Sequence, residues 1–113
     1  MDKIEIIVKA LSDKLGKNIV AIDMQQASPI FDTFILCTGT NERLMQALRD
    51  SVEEQMDKAG YEVKHIEGLR DSKWILMDYG DVVVHIFEEE ERGAYNLEKL
   101  WGDLPRIQVE QYL

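Results

Sequence analysis

At 113 residues the chain fits one domain, with 45% hydrophobic residues to fill a single core and 31% charged residues to solvate its surface. No apolar run approaches the ~20 residues needed to cross a bilayer. Met1-Asp2-Lys3-Ile4-Glu5 enters a helical pattern directly, without a basic leader or cleavage site, so a cytoplasmic protein with no membrane contact is expected. The net charge of −9, from 13 basic and 22 acidic residues, argues against wrapping nucleic acid, which requires cations to displace counterions. It suits a basic protein partner, or serves solubility alone.

In chain order, the first element is a helix from Asp2 to Leu15, where Ile4, Ile7, Val8, Leu11 and Leu15 make one apolar stripe. Asp2 and Glu5 resemble a capping box, and Gly16 is placed to end the helix in a left-handed conformation. Ile19-Val20-Ala21-Ile22 reads as a strand buried on both faces, Ser28-Pro29 breaks the pattern, and Thr33 to Thr38 reads as a second strand. Cys37 within it stands alone, which excludes an intrachain disulfide or thiolate metal site and leaves a small buried hydrophobe. A second helix follows, with its turn and N-cap in Gly39-Thr40-Asn41 and a ridge of Leu44, Leu48, Val52 and Met56. Met45, Ala47 and Ala59 widen the buried face; Arg43, Arg49, Asp50, Glu54 and Lys58 make the solvated one, and Gly60 ends the helix.

Three strands come next. Tyr61, Val63 and His65 alternate with polar residues up to Ile66, and Glu67 to Lys73 is a polar connection. Trp74 to Met77 and Val82 to Phe87 flank the tight turn Asp78-Tyr79-Gly80-Asp81, so this pair forms a hairpin. Glu88 to Trp101 is a turn and a short helix bearing Leu97, Leu100 and Trp101, and Pro105 opens a C-terminal tail. The expected architecture is a single α/β domain over residues 1–113, with a mixed sheet of about five strands packed with helices. The strand–helix–strand unit of residues 33–66 should be a right-handed parallel crossover.

Enzyme chemistry finds little support. Thr38-Gly39-Thr40 could offer backbone N–H groups to a phosphate, but neither glycine-rich nucleotide motif is present. Asp78 and Asp81 flank a turn at a spacing that does not guarantee convergence on a metal, and a pair of solvated turn residues is the better reading. The acidic run Glu88 to Glu91 suits a helix N-terminus. His65 and His85 lie on separate strands with no triad partners evident, so both read as structural. Trp74, Tyr79, Tyr95 and Trp101 cluster around the hairpin and its following helix, as core residues or as an interface patch. From residues alone, the reading is a binding module without cofactor, metal or catalytic group.

Four segments resemble signatures of the ribosomal silencing factor, or Iojap-like, family. They are Asp32 to Thr40, His65-Ile66-Glu67-Gly68, Trp74 to Phe87, and Tyr95 to Trp101, in family order within residues 32–101; residues 103–113 form a tail outside them. The resemblance implies a nucleotidyltransferase-like scaffold used without catalysis. It implies a translational repressor that binds the large ribosomal subunit through ribosomal protein fourteen and blocks joining of the small subunit when nutrients are scarce. No sequence-specific nucleic-acid contact is expected, and the free protein could pair as a homodimer. The alternatives are a large-subunit assembly factor or, from another class, a nucleotide-handling enzyme. Matching positions assign docking to Trp74, Asp78, Tyr79, Tyr95, Leu100 and Trp101, with Arg70, Asp71 and Lys73 at the rim.

Overall fold

The structure, a computed structural model, describes residues 2–68, 72–95, 99 and 102–113, and the backbone alone at 93–95. Helix α1 (Lys3–Asp13) starts at Asp2, whose carboxylate accepts the Glu5 amide at 2.9 Å. Leu15, with φ 64°, takes the left-handed conformation expected of Gly16. Gly16 is required for space instead, since a Cβ there would stand 2.5 Å from Cys37 Sγ. Helix α2 (Glu42–Lys58) is capped by Asn41, which accepts the Leu44 amide at 2.8 Å, and ends at Gly60 with φ +90°. Met45, Leu48, Ser51, Val52 and Met56 are its buried residues. Ala59 is exposed, because the helix has already ended at Lys58.

Among the described residues the sheet has six strands rather than about five. They are β1 (Lys17–Asp23), β2 (Thr33–Gly39), β3 (His65–Glu67), β4 (Trp74–Asp78), β5 (Val82–Glu88) and β6 (Arg106–Ile107), in the order β3-β4-β5-β2-β1-β6. The added strand β6 lies in the tail and pairs antiparallel with Ala21 and Ile22 of β1. The hairpin β4–β5 is present, and β5 runs parallel to β2 along its whole length. The unit β2–α2–β3 joins strands of the same direction, but they are not neighbours: β5 and β4 lie between them. The third strand is shorter than expected and opposite in phase. Ile66 packs toward the helices while His65 is exposed; Tyr61 and Val63 pack against the core ahead of the strand.

Strand alternation divides the interior into two clusters. One face presents Ala21, Ile35, Cys37, Val84, Ile86, Ile75 and Met77 to α1 and α2. The other presents Ile22, Phe34, Leu36, Val83 and Phe87, with Val20, Trp74 and Leu76 packed against them and Phe31 and Leu104 laid across. In β1 only Ala21 and Ile22 are fully buried, one on each face. Helix α3 (Glu89–Tyr95) continues from β5 with three glutamates in its first turn, the acidity that a helix N-terminus favours. Arg92 ties it to the sheet, donating to Asn18 O at 2.6 Å and Thr38 Oγ1 at 2.8 Å.

Candidate functional site

Strand β4 sorts its residues by parity. Ile75 and Met77 face the helices, whereas Trp74, Leu76 and Asp78 lie on the opposite face, half-buried. On that face the register sets Trp74 beside Phe87, Leu76 between Glu67 and His85, and Asp78 beside Val83 and His65. At the β3 end of the sheet, Glu67, Gly68, Ser72, Lys73, Trp74, Leu76 and Glu91 line an open groove of about 440 Å³. Two of the quoted signature segments meet there, 65–68 and 74–87.

Local chemistry holds the groove's wall in place. Gly68 has φ +78°, and a Cβ on it would lie 2.1 Å from Trp74 O, so only glycine fits against the start of β4. The Ser72 hydroxyl donates to Trp74 O at 2.7 Å and accepts the Trp74 amide at 3.3 Å. Lys73, exposed at the rim, stands 3.9 Å from the Glu88 carboxylate, and its carbonyl accepts the Glu88 amide. The Trp74 indole lies over Phe87, with 4.8 Å between ring centroids, and its Nε1–H donates to His85 Nδ1 at 3.1 Å. His85 is 4% exposed, and burial pushes its imidazole down to about 4, so it is neutral at pH 7.

The expected site residues separate into distinct places. Trp74 and Lys73 line the groove. Asp78 shares the face of Trp74, but its carboxylate accepts the Gly80 amide at 2.7 Å and so shapes the hairpin turn. Tyr79 is corrected from a surface to a core position: 2% exposed, it points toward the helices, and burial raises its phenol well above the usual range. It can therefore support the hairpin from beneath but cannot touch a partner in this conformation. Arg70, Asp71, Leu100 and Trp101 lie outside the described residues, as does the Tyr95 side chain. Leu76, Glu67 and Glu91 are groove residues that sequence reasoning missed. Leu76 was recoverable from the alternation beginning at Trp74; Glu91 depends on how α3 returns beside the sheet, which has no local signal.

The carboxylate pair considered for metal chemistry does not converge. Asp81 accepts from Lys3 Nζ at 2.7 Å, which holds its carboxyl below the usual range, and Lys3 also donates to Tyr79 O. This pair ties α1 to the hairpin turn while Asp78 is committed within the turn. His65 is exposed and 3.0 Å from Glu67, on the opposite side of β4 from His85. Cys37 is buried and its thiol is pushed up to about 12, so it is a packing residue as expected. At Gly39, a Cβ would stand 2.8 Å from Met45 Cγ, so close helix packing accounts for the glycine there.

These features define a single α/β domain with an aromatic-walled groove at one sheet edge. Among solved structures, a crystal structure of a Chromobacterium violaceum protein superposes with a TM-score of 0.84 at 36% identity, covering 90% of this chain and 88% of that one. The family model described as "Ribosomal silencing factor during starvation" matches residues 1–113, and the chain belongs to that family. The ribosomal silencing factor RsfS of Bacillus subtilis is 43% identical over 107 residues, covering 95% of this chain and 91% of the relative. A mouse relative, "Mitochondrial assembly of ribosomal large subunit protein 1", is 28% identical over 87% of this chain and 44% of its own length.

Proposed function

We propose that this protein is a cytoplasmic translational repressor that binds the large ribosomal subunit through ribosomal protein fourteen and prevents the small subunit from joining. It acts without cofactor, metal or catalysis, on a scaffold of nucleotidyltransferase type. The observation that carries this reading is the groove in which Trp74, Lys73, Glu67 and Gly68 converge, in a chain whose residues 1–113 match the silencing-factor family. Competition for a surface needs only a stable, correctly shaped face, and a half-buried tryptophan at a sheet edge is a frequent binding hot spot. The acidic net charge fits a basic ribosomal protein. Asp78 and, from the signature, Tyr95, Leu100 and Trp101 are the further docking residues of this proposal, with Arg70 and Asp71 as rim contacts; Tyr79 belongs to the support of the hairpin.

The test is sedimentation with isolated large and small subunits. The protein should travel with the large subunit and lower the yield of joined ribosomes. Trp74→Ala should weaken large-subunit binding by about 2 kcal/mol or more, roughly 30-fold. A parallel urea melt separates this from loss of fold. Binding unchanged by Trp74→Ala, in a protein of parental stability, would exclude the groove as the docking site. The name of the mouse relative favours a second reading, assistance to large-subunit assembly. It would use the same surface at an earlier time, and accumulation of immature large subunits on depletion distinguishes it.

A further inference from the structure

We propose that His85 is the positioning residue of the docking groove, holding the Trp74 indole by its ring N–H so that the partner meets the apolar ring. This rests on the docking reading of Trp74. On adjacent antiparallel strands, Trp74 pairs directly with Phe87 and diagonally with His85. Among the contacts with described residues, the indole is held over the Phe87 ring and by its Nε1–H on His85 Nδ1. Indole has a single donor and no acceptor. With that donor turned inward, Trp74 offers the groove its apolar surface.

The plainer explanation for His85 is that it fills space, and its surroundings do not support that. It lies beside Phe34, with 4.7 Å between ring centroids, and stacks with Phe87 at an interplanar angle of 12°. Because Nδ1 accepts the indole proton, the neutral ring carries its own proton on Nε2, which is buried and has no partner among the described residues. An apolar ring would fill the same space without leaving that donor unsatisfied. What imidazole adds at this position is one acceptor, and Trp74 uses it.

A four-cornered cycle of Trp74→Phe and His85→Phe in the full chain tests this, with large-subunit binding, urea melts and indole N–H NMR as readouts. His85→Phe should weaken binding about tenfold when Trp74 is present and have no further effect beside Trp74→Phe, which lacks the N–H. The Trp74 indole proton, recognised by its loss in Trp74→Phe, should exchange faster with solvent in His85→Phe. Should His85→Phe not fold, His85→Asn and His85→Leu form an acceptor-bearing and an acceptor-free pair, and only the first should retain binding and slow exchange. Equal losses in both Trp74 backgrounds, or equal exchange with and without the acceptor, would overturn the positioning role. Binding that depends on Trp74 but ignores His85 would overturn it while leaving the docking reading intact. Binding indifferent to Trp74→Ala would remove both.

Discussion

Acidification from neutral pH should destabilise this protein through His85. In the unfolded chain a histidine titrates near 6.5, whereas burial holds folded His85 down to about 4. The unfolded state therefore binds more protons across this window, so stability is full above the unfolded value and is lost as pH falls toward the folded one. The whole shift corresponds to about 3 kcal/mol, of which about 2 kcal/mol should be lost between pH 7 and pH 5. Against a total of ~5–15 kcal/mol this is a large fraction. With a urea slope of about 1–3 kcal/mol per molar, the midpoint should fall by roughly 1 M over those two pH units. The assay is a series of urea melts in a His65→Asn background, which removes the exposed histidine from the account. Asp81, whose carboxyl is held low by Lys3, contributes its own loss only at lower pH, as carboxylates protonate. A midpoint constant from pH 7 to pH 5 would refute the reasoning. So would an equal slope in His85→Phe, because the loss would then originate elsewhere.

Gly16→Ala should destabilise the fold by about 1–3 kcal/mol, the range for overpacking, because its Cβ would meet Cys37 Sγ at 2.5 Å and Leu48 Cδ2 at 3.1 Å. A urea midpoint matching the parent would show that the α1–β1 connection yields freely. If the acidic surface steers the protein toward a basic partner, raising salt from low to physiological strength should slow association more than it speeds dissociation. An association rate flat across that range, measured by rapid mixing with large subunits, would assign the charge to solubility alone.

Much of the fold was legible because it follows from short-range periodicity. The α2 ridge, the Asn41 cap and the β4–β5 hairpin each carry a local pattern, and each occurs where that pattern places it. What was not legible depends on pairing over distance. Arg106-Ile107 has no period of its own and becomes a strand only because β1 offers it a free edge. The phase of β3 could not be set by Tyr61 and Val63, since both pack against the helices without joining the ladder. Tyr79 shows the same limit within the site. Its residue type and its place in the signature suggested a surface, but the period of two from Ile75 through Met77 carries it to the helix-covered face.

If the proposed docking surface holds, that parity lets one short strand serve both folding and binding. Side chains that must be excluded from water and side chains that must be offered to a partner make opposite demands on burial. Strand β4 meets both by alternation, since Ile75 and Met77 complete the helix-side cluster while Trp74 and Leu76 remain half-buried on the groove side. The neighbouring strand extends the division, with Val84 and Ile86 inside the helix cluster and His85 and Phe87 beneath the indole. Trp74 is therefore anchored by residues that share none of its exposure. A rigid aromatic loses little conformational entropy when a partner arrives, because its rotamer is already chosen in the free protein. On the proposed docking reading, a face prepared in this way competes for a protein surface without any moving part.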